Sequence, residues 1–267
     1  MRKMNGWLLA GLILTGALLA LIVLGFFWTP YDPAAMSGSQ KLLAPSLHHL
    51  MGTDNFGRDV FSRVLKGAGT TLIIALCTVA IGGVCGTVIG ALTGYFGGAA
   101  DAVLMRINDA MTAFPSMLLG LVFVSLFGSG SGNVILALGL VFIPSFARVT
   151  RTAFASVRNS NYVESARLMG AGSGRILLVH LLPNIFPVLL PALTIGFNNA
   201  VLAEASMSYL GIGSMTSLGY LLSNAQSMLY NAPWYALGTG LAIVLLIFGV
   251  GMIGEGLQRR NGGQKYA

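Results

Sequence analysis

Few residues in this sequence are able to do chemistry, and their spacing argues against catalysis. There are three histidines. His48 and His49 are adjacent, so they point to different sides of most regular elements, and His180 lies far along the chain. No Cys/His set has the spacing of a zinc site, and the adjacent pair reads as surface groups rather than metal ligands. Cys77 and Cys85 stand eight residues apart in one apolar stretch. On a helix that is about 12 Å of rise, too far for a disulfide, so they read as small packing residues. The phosphate-loop pattern G-x-x-x-x-G-K-[ST] is absent, and the dipeptide Gly-Lys never occurs, so this chain does not hold ATP in that way. No nucleophile elbow G-x-S-x-G with triad partners stands out.

What remains is a set of polar residues inside apolar stretches. Glu204 is the costliest, because it lies deep in such a stretch with no charge near it in sequence. Two roles are open for it: a hydrogen bond to the turn around Ser206–Gly211, or a place on a water-filled path. Asp109 falls about one turn after Arg106 and is expected to pair with it. Pro115 frees the carbonyl of Met111 and is expected to kink its helix. Asn198 and Asn199 are further candidates for a polar path.

The elements that must position these residues are membrane helices. The chain is 55% hydrophobic and only 9% charged, with a mean hydropathy of +0.79. Soluble domains carry about a quarter charged residues, so a bilayer must supply the apolar solvent. Trp7 to Trp28 has the length of a first span, expected to be uncleaved because a signal peptide has a shorter apolar core. Residues 67–100 carry no charge and predict a second span near 68–92, and further apolar stretches predict spans near 101–127, 133–152, 184–209 and 234–254. The Gly- and Ser-rich stretch between the last two reads as a loop or a short re-entrant helix. Gly82, Gly86, Gly90, Gly94 and Gly98 recur every fourth residue and form a small-residue stripe. It serves helix packing inside the chain or against a partner.

The excess of basic residues, a net charge of +7, follows the positive-inside rule and does not call for nucleic acid. Six spans with Arg2 and Lys3 inside place both termini in the cytoplasm. Eleven of the fifteen basic residues then lie on the cytoplasmic side, which supports that orientation. The segment Phe56–Lys66 is amphipathic, with Asp59 and Arg63 spaced as an i,i+4 pair. It is expected to lie flat on the outer membrane surface.

The segment 153–183 is too long for a plain connection. Asn161 with Glu164 reads as a capping-box start, and Gly170 as a left-handed helix end. A second short helix follows, up to Pro183. The resulting helix-turn-helix reads as a docking surface on the cytoplasmic face.

The spacing Glu164-Ser165-Ala166, Gly170 and His180-Leu181-Leu182-Pro183 resembles the EAA loop of ABC importer permeases, with Ser165 and His180 departing from its usual Ala and Ile. Gly52-Thr53-Asp54, Gly57-Arg58-Asp59 and Ser62-Arg63 resemble the G-T-D-x-x-G-R-D-x-x-S-R signature of the peptide/nickel permease family, second permease type. Ala203–Gly213, Ala232-Pro-Trp234 and Gly240–Ile243 resemble further stretches of that family. Gly69 departs from a frequent Arg, Thr239 from a frequent Pro, and Gly254–Arg260 from the usual L-D-P-R tail.

The resemblance implies an all-α membrane protein with six transmembrane helices in the type I ABC importer permease fold, in the bacterial inner membrane. It implies an N-terminal span plus extracytoplasmic segment over 1–66, a five-helix core over 67–260, and a cytoplasmic tail over 261–267. The permease would form half of a translocation pathway for peptides, nickel or metal chelates. Its partners would be a second permease, two ATPase subunits holding ATP and Mg, and an extracytoplasmic substrate-binding protein. It would bind no cofactor itself and work as no enzyme. Glu164, Ser165, Ala166, Gly170, Leu182 and Pro183 would couple it to an ATPase. Asp109, Pro115, Asn198 and Glu204 are the candidates for the pathway or its gate. The alternative, a self-sufficient secondary transporter or channel, asks for internal repeats or several intramembrane acids. No convincing repeat is found, and only Glu204 lies deep.

Overall fold

A computed structural model describes residues 6–262. Arg2, Lys3 and all but the first two residues of the expected tail 261–267 lie outside the described residues. Every regular element among the described residues is a helix, and a long loop over 28–59 joins the first two. The elements are α1 (Gly6–Phe27), α2 (Val60–Phe96), α3 (Gly98–Thr112), α4 (Ser116–Phe127), α5 (Ser131–Val157), α6 (Asn161–Leu168) and the short turn α7 (Ser173–Arg175). A π-helical turn, Ile176–Leu181, leads into α8 (Leu182–Tyr209), which is followed by α9 (Leu218–Gln226) and α10 (Pro233–Gly262).

Among the described residues five helices are long and apolar enough to cross a membrane, and a sixth span exists if α3 and α4 count as one. That pair is bent by 90°. The expected span over 101–127 is therefore broken rather than kinked. Pro115 removes a backbone donor and fixes its own φ, and the helix stops two residues earlier at Ala113.

The glycine stripe packs inside the chain. A methyl added at Gly90 would stand 2.5 Å from the carbonyl oxygen of Ala147, and one at Gly94 would stand 2.5 Å from that of Arg151. Only glycine lets α2 and α5 approach this closely along three turns. Gly98 falls outside the stripe, with open space around it. On the other side of the bundle α1 runs along α10, where Gly11 meets Met252 and Gly256 meets Leu8.

The segment before α2 differs from its expected form. Val60–Lys66 does not lie flat on a surface but continues straight into α2. Val60, Ser62, Val64 and Leu65 are buried there. The stretch after α8 is a turn at Gly211 followed by α9, whose Leu218, Leu221 and Ala225 enter the main core with Val64, Ala68 and Val201.

Candidate functional site

The loop between α5 and α8 is a small packed unit. Val163 and Ala166 are three residues apart and both buried, against Tyr95, Phe154, Ile176, Leu181 and Ile185. This apolar face fixes α6 on the ends of α2, α5 and α8. The expected capping box does not form. Ser160, not Asn161, precedes the helix, and no side chain caps it; the N–H groups of Val163 and Glu164 donate to the Ser160 carbonyl. Gly170 does terminate α6 in the left-handed region, with φ +81°, and Ala171 N–H donates to the Ala166 carbonyl. Before Pro183 the helix widens, and Leu182 N–H donates to the Leu177 carbonyl five residues back. Asn184 donates to the Tyr162 hydroxyl at 2.8 Å, tying α8 to α6.

The opposite face of α6 is free. Glu164 and Ser165 are exposed, and Leu168 and Met169 are 89% and 80% exposed. Sequence reasoning did not single out these last two residues. The signal was available: once positions 163 and 166 face inward, 164, 165, 168 and 169 share the outer side.

The two aspartates Asp54 and Asp59 of the signature each gather several hydrogen bonds. Asp54 accepts from the N–H groups of Phe56 and Arg58 at 2.8 and 3.0 Å, and from Arg58 Nε at 2.7 Å; Arg63 Nη1 completes the set. Asp59 caps α2 by accepting from Ser62 N–H and Oγ at 2.8 and 2.7 Å. Its other oxygen meets His49 Nδ1 at 2.9 Å. The expected Asp59–Arg63 pair is thus replaced by Asp54–Arg63, because a capping aspartate points at the helix end rather than along its side. His49 is buried, with its ring tilted against that of Tyr31 at 4.6 Å between centroids, rather than lying on the surface. Thr53 Oγ1 donates to the Gln40 carbonyl and accepts from Leu43 N–H. Gly52 and Gly57 take positive φ against Leu43 and Ser37 carbonyls, where a Cβ has no room.

At the contact of α3 with α5, Asp109 pairs with Arg148 at 3.1 Å, not with Arg106, and both side chains are exposed. Asp101 and Arg151 form a second pair, and Asn108 donates to the Pro144 carbonyl at 3.3 Å. These three ties hold α3 along α5. Glu204 is fully buried and accepts from Ser208 Oγ at 2.6 Å and Thr71 Oγ1 at 3.0 Å. Asn198 packs beside Gly251 of α10. A cavity of about 410 Å³ opens between α4, α5 and α8, and Asn199 rather than Asn198 lines it.

The sequence profile described as binding-protein-dependent transport system inner membrane component matches residues 86–262. The chain belongs to this family. It is a permease subunit of an ABC importer, located in the bacterial inner membrane. The match runs from the middle of α2 to the end of α10 and takes in α6, α7 and the cavity.

Similar proteins agree with this placement. The dipeptide transport system permease protein DppC of Alkalihalophilus pseudofirmus is 34% identical over 96% of this permease and 85% of its own length. A putative peptide transport system permease of Brucella suis is 38% identical over 93% and 84%. The glutathione transport system permease GsiD of Pectobacterium atrosepticum is 35% identical over 92% and 84%. A chain of the MetNI methionine ABC transporter, solved in inward-facing conformations, superposes with a TM-score of 0.64. It covers 74% of this permease and 95% of itself at 22% identity, and shares the type I permease fold.

Proposed function

We propose that this permease forms half of the membrane pathway of an importer for short peptides, driven through α6 by separate ATPase subunits. The observation that carries the reading is the two-sided character of α6. Its inner face is locked onto three membrane helices, while Glu164, Ser165, Leu168 and Met169 stand outward with no cover. An element held rigidly on one side and bare on the other transmits force from whatever binds the bare side. Both termini and the α6–α7 loop lie on the cytoplasmic side in this account, and ATP with Mg belongs to the ATPases. The chain itself catalyses no reaction and binds no cofactor. A second permease completes the pathway, and an extracytoplasmic protein delivers the cargo.

The relatives named for dipeptide, peptide and glutathione transport support peptides over nickel or metal chelates. Uptake into proteoliposomes holding the full assembly tests this. Labelled dipeptide should accumulate with ATP and a loaded binding protein, whereas Ni²⁺ should not. Accumulation of Ni²⁺ alone would refute the peptide assignment. Uptake by the purified chain on an ion gradient would refute the ABC mechanism.

A further inference from the structure

We propose that the cavity between α4, α5 and α8 is where this permease touches its cargo, with Ser116, Ser145 and Asn199 hydrogen-bonding an uncharged stretch of peptide backbone. The inference rests on the peptide-importer reading and names the contact residues within it.

Depth is the first argument. Ser145 lies near the middle of α5 (Ser131–Val157), and Asn199 lies well inside α8 (Leu182–Tyr209). Both side chains, and that of Ser116 at the start of α4, are exposed, and none of the three bonds to another group among the described residues. A bare carboxamide facing hydrocarbon is unfavourable, so such residues face water or a partner that hydrogen-bonds. The adjacent Asn198 shows the contrast, because it turns away toward Gly251 on α10.

Chemistry is the second argument. The wall of the cavity combines hydroxyls and one carboxamide with apolar side chains such as Leu138, Phe142 and Met207, and includes no Asp, Glu, His or Cys. That set suits amide groups, which both donate and accept. It does not suit a bare divalent cation, which seeks carboxylate, imidazole or thiolate. The volume, about 410 Å³, falls within the range of roughly 300–1,000 Å³ of small-ligand sites. Few polar contacts without a fixed charge give weak binding, which a transport path needs if cargo is to leave.

Continuity is the third argument. A second cavity of about 580 Å³ follows the same α5–α8 seam, lined by Arg148, Thr152, Ser156 and Asn184. Ser145, Arg148, Thr152 and Ser156 are spaced by three, four and four residues and so share one face of α5. The polar track therefore runs from the cavity toward the α6 end of the bundle.

The test uses the complete transporter with Cys77→Ser and Cys85→Ser as background. Ser145→Cys, Asn199→Cys and Asn198→Cys are made singly and treated with a charged, membrane-impermeant thiosulfonate. The first two should react at least tenfold faster than Asn198→Cys, and saturating dipeptide-loaded binding protein with ATP should slow them at least threefold. In parallel, Asn199→Leu should raise the KM for dipeptide uptake at least fivefold while the binding protein's own affinity stays fixed. If the background assembly transports no peptide, the importer reading falls and this assignment with it. If it transports, but labelling ignores cargo and the KM of Asn199→Leu is unchanged, the assignment alone is overturned and the patch is a packing surface between subunits.

Discussion

Glu204 and Thr71 meet at 3.0 Å between α8 and α2, and the same Thr71 hydroxyl accepts from Leu218 N–H at 3.1 Å, at the start of α9. One buried carboxyl group thus joins two spans and the short helix that follows α8. Ser208 extends the node, since its Oγ donates to Glu204 and accepts from Ser214 N–H. Of the two roles open for Glu204, the hydrogen-bonding one has its partners in place.

Removing the carboxyl group should loosen this junction. Glu204→Leu leaves the Thr71 and Ser208 hydroxyls without their acceptor, at about 1–3 kcal/mol. Glu204→Gln keeps a similar shape and hydrogen-bonding capacity and should lose less than about 1 kcal/mol. Thermal unfolding of the detergent-purified assembly, followed by size-exclusion chromatography, separates the two. Equal losses for both variants would count against the node.

The Asp54 clasp should matter more than any exposed charge. Asp54→Ala leaves Arg63 buried without its partner, a change that typically destabilises by about 3–5 kcal/mol. The loop from Thr29 to Asp59 should then become a target for added protease. Asp32→Ala, at an exposed position, should leave the protease pattern unchanged. Similar cleavage in both variants would contradict the assignment.

Close contact of α2 with α5 gives a third expectation. Gly90→Val places side-chain atoms against the Ala147 carbonyl and Thr150 and should cost about 1–3 kcal/mol through overpacking. Gly240→Ala in α10 meets open space and should be neutral or stabilising by up to about 1 kcal/mol. Melting temperatures of the two purified variants should therefore move in opposite directions or leave only the first shifted.

The two-pronged pair of Asp101 and Arg151, at 2.5 and 2.6 Å, should show measurable coupling. Both side chains are partly exposed, which keeps the expected energy near 1 kcal/mol rather than the value of a buried pair. A double-mutant cycle with Asp101→Asn and Arg151→Gln reads it directly. A coupling energy indistinguishable from zero would mean that α3 is held on α5 by Asn108, the Asp109–Arg148 pair and packing, without this contact.

Much of this architecture was legible in the sequence because the bilayer makes it so. Long apolar runs marked the spans, Gly170 marked the end of α6, and the spacing of Gly82 to Gly94 marked a close helix contact. What was not legible depended on distant partners. Asp109 has Arg106 within one turn, yet Arg148, 39 residues away, takes it. Asp59 has Arg63 at helical spacing, but as the cap of α2 it turns to Ser62 and His49. Pro115 announced a disturbance, while the size of the bend depended on what α4 packs against: Gly120 lies on Met207 and Leu138. Asn198 and Asn199 are neighbours in sequence, and only the rotation of α8 tells which one meets the cavity.

The central claim is that α6 passes force from an ATPase to the membrane helices through its bare face. ATP-driven dipeptide uptake by the reconstituted transporter, measured for Leu168→Asp and Glu164→Lys beside the unaltered chain, tests it most directly. Because these side chains touch nothing that holds the fold, both variants should assemble in normal yield and lose at least tenfold in uptake rate. Full uptake by both variants, with the ATPases still bound, would contradict the account.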